Sequence, residues 1–465
     1  MVFSAAIFIF LFLPVVLFVY YNPIVKNRKF RNIWLLISSI GFYAWGEPVF
    51  VLVMIGMVIA NFGAGIMLNS KFAVEHSCRK LLFIMVLIVN VGILFIFKYL
   101  NFVSENCFYL FGTDILHIAL PIGISFYIFQ LISYMMDVYS GKVQPQTNIL
   151  NLGLYVTMFP QLIAGPIVRY GTIVEQITQR RESFEQFSDG VERFVIGLAK
   201  KVLLADRLAI VADAAFSASQ NGEISMVMAW FGAAAFTLQI YFDFSGYSDM
   251  AIGLGKMFGF SFEENFHYPY ISKSVTEFWR RWHISLSTWF RDYVYIPLGG
   301  NRKSSFRTAL NLLIVWILTG LWHGANWIFI LWGGVTYAVL MVEKNTRFLK
   351  VIGNGILARI YTMLTICFLW VIFKADTIGN AFLYIRQMFY ISNLLNGDTL
   401  LFIQKYGMIL VLGVIFALPI SSVMSSRFAD KKIQEFRTVW LTLLMILAIG
   451  SVSNSAYSPF IYYNF

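Results

Sequence analysis

Apolar runs of about 20 residues, the length a helix needs to cross a bilayer core, recur along nearly the whole chain between short polar loops. They predict spans over 3–21, 32–45, 49–69, 81–103 and 117–136, with Pro121 and Gly123 as kink candidates in the last. The next run, 150–164, is short and broken by Pro160, Gly165 and Pro166, as in a bent or re-entrant element. Residues 169–188 are polar. Residues 190–216 mix apolar side chains with Glu192, Arg193, Lys200, Lys201, Asp206 and Arg207, which suits a partly buried or interfacial helix. A long apolar region, 226–258, contains Gln239, Asp243, Ser245, Ser248 and Asp249. Residues 262–307 interleave Trp279, Trp282, Trp289, Tyr293 and Tyr295 with Arg280, Arg281, Arg291, Arg302, Lys303 and Arg307. That stretch predicts amphipathic helices at the inner interface, rings at headgroup depth and guanidinium groups toward phosphates. A 308–342 hairpin and spans near 355–373, 401–420 and 438–454 complete the chain. The pattern predicts an all-α polytopic membrane protein with about ten or eleven spans plus re-entrant and interfacial pieces. It reads as a single membrane domain over 1–465: N-terminal helices 1–115, a core 116–420, and a last helix and tail 421–465.

Composition supports that class. The chain is 59% hydrophobic and only 13% charged, too few charges to cover a soluble protein of 465 residues. The net charge of +11 is accounted for by basic loops facing anionic lipid on the cytoplasmic side. No basic stretch forms a nucleic-acid recognition module, so the partner that charge implies is the membrane. Lys26, Arg28, Lys29 and Arg31, then Lys71, Arg79 and Lys80, alternate with loops bearing Glu47, or Glu105 and Asp114. Both termini are thereby predicted extracytoplasmic. The first apolar run lacks a positive n-region and reads as a retained helix. Cys78, Cys107 and Cys367 show no paired ligand spacing; they are expected to pack, and no metal is expected.

The chemistry concentrates in Thr319-Gly320-Leu321-Trp322-His323-Gly324-Ala325-Asn326-Trp327. Residues 308–342 would reach about 52 Å as one helix at about 1.5 Å per residue, against a hydrocarbon core of about 30 Å. With basic loops at 301–307 and 344–350, two arms meeting near Gly320–Gly324 are predicted, His323 lying at the turn. An imidazole there can take a hydroxyl proton near neutral pH, and an intramembrane histidine is a functional-site hypothesis. His76, His117 and His267 sit at span ends or in a polar loop and are expected to be structural. His283, in Phe278-Trp279-Arg280-Arg281-Trp282-His283, is divided between packing and function. Asp243 and Asp249 can orient a histidine or pair with Lys or Arg. No nucleophile elbow, Walker loop, dinucleotide fingerprint or zinc spacing is present, which points to direct transfer from an activated donor with no bound cofactor. A proton-coupled transporter or export channel, with His323 and the aspartates as its relay, is the competing class; inverted repeats would favour it, and none is visible.

The His283 motif, with Trp289-Phe290-Arg291-Asp292-Tyr293-Val294-Tyr295-Ile296-Pro297-Leu298-Gly299-Gly300-Asn301, and the His323 motif resemble the membrane-bound O-acyltransferases. More narrowly they resemble the bacterial branch serving alginate O-acetylation, peptidoglycan O-acetylation and D-alanyl transfer to teichoic acids. The opening Met1-Val2-Phe3-Ser4 and the length look most like the alginate type. The resemblance covers essentially the whole chain. It implies a helical bundle around a central funnel or tunnel, His323 as catalytic histidine and His283 as the second motif histidine. It further implies an acyl donor, acetyl-CoA being expected, and an extracytoplasmic SGNH-type O-acetyltransferase that passes the acyl group to a polysaccharide. Arg280, Arg281, Arg302 and Lys303 are expected to hold donor phosphates or lipid headgroups. Trp282, Arg291, Asn301, Trp322 and Asn326, with Asp243 and Asp249, are further donor-binding or tunnel candidates. The tail Ser458-Pro459-Phe460-Ile461-Tyr462-Tyr463-Asn464-Phe465 resembles an aromatic relay motif, making Tyr462 an acyl-relay candidate with interfacial anchoring as its alternative.

Overall fold

The computed structural model describes residues 2–24, 26–70, 78–112, 117–222, 224–346, 351–353, 355–419, 431–454 and 460. Among them there is no strand, and the all-α class holds. Among the described residues, seven helices are long and apolar enough to cross a membrane: Phe50–Leu68, Arg79–Tyr109, Met226–Met257, Ser305–His323, Trp327–Asn345, Ile356–Lys374 and Gly397–Ala417. Phe8–Tyr20 and Arg437–Val452 are shorter apolar helices. The chain divides into two compact units, Met1–Phe194 with Met250–Glu263, and Val195–Asp249 with Glu264–Phe465.

In the first unit, apolar helices are joined by paired polar groups. Asn61 and Asn90 exchange amide hydrogen bonds of 3.1 and 2.9 Å between Phe50–Leu68 and the Arg79–Leu94 segment. Such reciprocal pairs suit helices in lipid, where packing alone supplies little selectivity. The 117–136 span differs from expectation. Gly123, at φ 75°, ends an irregular segment and the helix begins at Ile124, running to Tyr139. A Cβ at Gly123 would lie 3.0 Å from the Leu162 carbonyl, so Pro121 and Gly123 start this helix rather than kink it. Residues 150–164 do break, into Ile149–Thr157 and Phe159–Leu162. The basic first turn of the Arg28–Gly46 helix packs onto Glu182. Arg28 forks across the carboxylate, Arg31 reaches it at 3.0 Å, and Tyr20 donates at 2.5 Å. Burial alone would raise the Glu182 carboxyl, but the hydrogen bonds from Arg28 and Tyr20 outweigh it and hold the group at about 2.

In the second unit, Lys200–Ala205 is a π-helical turn. It aims Lys201, 2% exposed, at Asp206 and Asp243, 2.8 and 2.7 Å away. Lys200 pairs with Asp249 at 2.6 Å. Both intramembrane aspartates therefore face lysines. Residues 262–307 do not lie as a surface belt. They form Val275–Arg281, Ile284–Phe290 and a π-helical turn Arg291–Tyr295, with Phe278, Trp282, Trp289 and Tyr293 all buried. Aromatic rings bring the same apolar area to an interface or to a protein interior, and here neighbouring helices cover them.

Candidate active site

The hairpin around His323 consists of Ser305–His323 and Trp327–Asn345, 19 residues each. At about 1.5 Å per residue each arm is about 28 Å long, enough to cross on its own, and the two meet at the turn predicted near Gly320–Gly324. Ser304 caps the first arm, its hydroxyl accepting from the Arg307 N–H, and the Asn326 side chain caps the second by accepting from the Ile328 N–H at 3.1 Å. The arms touch backbone to backbone. A Cβ on Gly320 would lie 2.2 Å from the Phe329 carbonyl oxygen, and one on Gly333 would lie 2.3 Å from that of Trp316.

That close approach sets His323, 4% exposed, at the end of the first arm inside an aromatic box. Trp332 and Phe373 meet its ring edge to face, with centroids 5.3 and 5.2 Å away, and Trp322 lies at 5.1 Å. Phe373 and Trp370, one turn apart on Ile356–Lys374, share the face turned to this box.

His283 occupies the break between Val275–Arg281 and Ile284–Phe290, with φ 45° and ψ 54°. The left-handed region is uncommon for a residue with a side chain and marks a place where surrounding bonds impose the conformation. The imidazole is buried, 5.7 Å from the Trp322 ring and 4.6 Å from Phe244. Burial holds it well below the ordinary histidine value, and the nearby His323 pushes the same way. That shift favours the neutral ring, which donates one hydrogen bond and accepts another. Its Nδ1 lies 3.1 Å from Asn265 Oδ1.

The helix leading to His283 is anchored from the hairpin. Glu343, 6% exposed on the second arm, accepts from the backbone N–H groups of Val275 and Thr276 at 2.7 and 2.9 Å and from the Thr276 hydroxyl at 2.7 Å. Ser274 adds an N-cap, accepting from Glu277 N–H at 3.0 Å. Asn265, Phe244, Trp332, Glu343, Trp370 and Phe373 were not singled out by sequence. Trp370 and Phe373 carry an i, i+3 signal; the others have no local signature.

The structure brings His283, Trp322 and His323 together. Trp282 is buried against Trp370, 4.9 Å between centroids, as part of the aromatic core. Arg281 pairs with Glu277 and approaches His267. Arg291 pairs with Asp292. Arg280, Asn301, Arg302 and Lys303 are exposed. Asn326 is an exposed helix cap, and Asp243 and Asp249 are on lysines rather than either histidine. His117 is exposed, and His76 lies outside the described residues. Tyr462 and Tyr463 also lie outside them; Phe460, in the same tail, is buried with its ring on Tyr247 and 4.5 Å below Lys201 Nζ.

Apolar helices of spanning length, with two buried histidines sharing an aromatic setting, define a multi-pass membrane protein with an acid–base-capable site. The chain belongs to the membrane-bound O-acyltransferase family, MBOAT, whose family model matches residues 146–373. It is therefore an acyltransferase, and group transfer displaces the transport alternative. It is 44% identical to "Probable alginate O-acetylase AlgI" of Azotobacter vinelandii, over 84% of this chain and 78% of that protein. Identity to the like-named protein of Pseudomonas aeruginosa is 45%, over 84% of this chain and 75% of that one. Identity to the "Peptidoglycan O-acetyltransferase" of Helicobacter pylori is 31%, over 100% of this chain and 98% of that protein.

Proposed function

We propose that this chain takes an acetyl group from cytoplasmic acetyl-CoA and passes it across a bacterial inner membrane for O-acetylation of an extracytoplasmic polysaccharide of the alginate type. The observation that carries the proposal is the burial of His323 in an aromatic box at the hairpin turn, with His283 against the same Trp322. The relatives' names supply the acetyl group and the polymer class.

In this mechanism His323 is the general base. It takes the proton of an acceptor hydroxyl as that oxygen attacks the thioester carbonyl. The C–O bond forms, the C–S bond breaks, and the coenzyme A thiolate leaves with the proton that His323 held. His283 supports the same centre, and surrounding rings exclude water that would hydrolyse the thioester. Exposed Arg280, Arg302 and Lys303 supply charge for donor phosphates. Tyr462 is the proposed acceptor that hands acetyl to an SGNH-type partner, with both termini extracytoplasmic.

Purified protein in proteoliposomes, given radiolabelled acetyl-CoA inside, is expected to acquire label or release coenzyme A. His323→Ala is expected to abolish this while inserting normally. A stable His323→Ala protein with undiminished turnover would sink the catalytic assignment, and Tyr462→Phe with full polymer acetylation in cells would sink the relay.

A further inference from the structure

We propose that Asn265 is a positioning residue for this site: it holds the His283 imidazole as the Nδ1–H tautomer, leaving Nε2 as the nitrogen that carries the lone pair. The inference rests on the proposed role of His283 in acyl transfer only for its kinetic consequence, because the tautomer follows from hydrogen-bond geometry.

Asn265 is fully buried in the irregular segment after the Met226–Met257 helix. Its Oδ1 lies 3.2 Å from the Ser285 backbone nitrogen, 2.9 Å from Ser285 Oγ and 3.1 Å from His283 Nδ1. Its Nδ2 donates to Ser248 Oγ at 3.0 Å. The two ends of an asparagine amide look alike in shape, so the partners must decide which is which. A backbone N–H can only donate; the amide atom facing Ser285 N must therefore be the oxygen. With the oxygen assigned, the Ser285 hydroxyl gives its hydrogen to Oδ1 at 2.9 Å and turns a lone pair to His283 Nδ1, 3.5 Å away, so both neighbours of Nδ1 are acceptors. An amide oxygen carries no hydrogen, and two lone pairs at 3.1 Å would repel, so Nδ1 must be the donor. A neutral imidazole has one ring N–H, which leaves the lone pair on Nε2.

Asn265 also grips the backbone. Its carbonyl accepts from the Ile284 N–H at 3.0 Å, so His283 and the two residues that follow its left-handed turn are tied to one side chain and its own peptide. The ring packs against Phe244 and Trp322, and His323 is the titratable neighbour that opposes charge on it. An amide in this place orients a histidine without donating full negative charge, so the imidazole is kept neutral. A carboxylate would accept the same hydrogen bonds and favour the imidazolium instead.

The test uses full-length protein in proteoliposomes, labelled with ¹⁵N-histidine; five histidines keep the spectrum tractable, and His283→Gln assigns the resonance. Solid-state NMR is expected to show His283 with protonated Nδ1 and unprotonated Nε2. In Asn265→Leu that pattern should be lost, and kcat should fall about 10²-fold or more with KM changed little, as expected when a histidine loses its correct tautomer. Asn265→Asp should keep turnover and move the acid limb of the pH–rate profile upward by about one unit. An Nε2–H tautomer at His283, or an Asp variant with turnover and an unmoved acid limb, overturns the inference, even if the Leu variant does not fold. Wild-type protein that shows the Nδ1–H tautomer but transfers no acetyl group overturns the proposed function and leaves the tautomer standing.

Discussion

Gly320 and Phe329 face each other so closely that a single methyl on the glycine would lie 2.2 Å from the phenylalanine carbonyl oxygen. The contact joins the two arms of the hairpin one turn before His323. Backbone meets backbone there, so no side-chain rotation can relieve the clash.

Gly320→Ala should therefore force the arms apart. Overpacking of a well-fitted contact costs about 1–3 kcal/mol, and an immobile carbonyl puts this case at the upper end. The expected outcome is a fall in Tm of the detergent-purified protein together with lost acetyl transfer. Gly334→Ala, whose added Cβ meets nothing within 4 Å, serves as the control and should leave both unchanged. Equal Tm values for the two variants would contradict the contact.

Glu343 ties the second arm to the helix that leads to His283, accepting from two backbone N–H groups and one hydroxyl. Removing a side-chain cap costs about 0.5–2 kcal/mol. Glu343→Ala should destabilise by about that amount and lower kcat more than it alters KM, because His283 moves with the helix. Glu343→Gln keeps one acceptor oxygen and should fall between wild type and Ala. Steady-state kinetics on the three proteins would show that order; full activity in Glu343→Ala would disprove the coupling.

The Glu182 cluster predicts an acid limit on the fold. Its folded carboxyl is held at about 2, below the ordinary glutamate value near 4.5, so folding favours the ionised form. The resulting stability is present above about pH 4.5 and is lost as pH falls toward about 2. A Tm profile across that interval should drop more steeply for wild type than for Glu182→Gln, which has no proton to gain. Arg28→Gln, removing the fork that lowers the carboxyl, should also flatten it. Parallel profiles for wild type and Glu182→Gln would rule out this contribution.

Much of the architecture is determined by the sequence alone. A helix in lipid satisfies its own backbone, so apolar length and glycine breaks are local signals, and they located 49–69, the 308–342 hairpin and 355–373 to within a few residues. They also singled out His323, because an imidazole among apolar residues stands out in one dimension. Tertiary structure decided what those residues meet. Rings in 262–307 have the same amphipathic character at a headgroup or inside a protein, and only neighbouring helices placed Trp282 and Phe278 in the core. Asp243 finds Lys201 from 42 positions away, and Asn265 finds His283 from 18 positions away through an irregular turn. Neither pair lies on one continuous helix, so no repeat in the sequence announces it. Hydrogen bonds and ion pairs of this kind depend on where two backbones pass each other, and that is settled only when the whole unit packs.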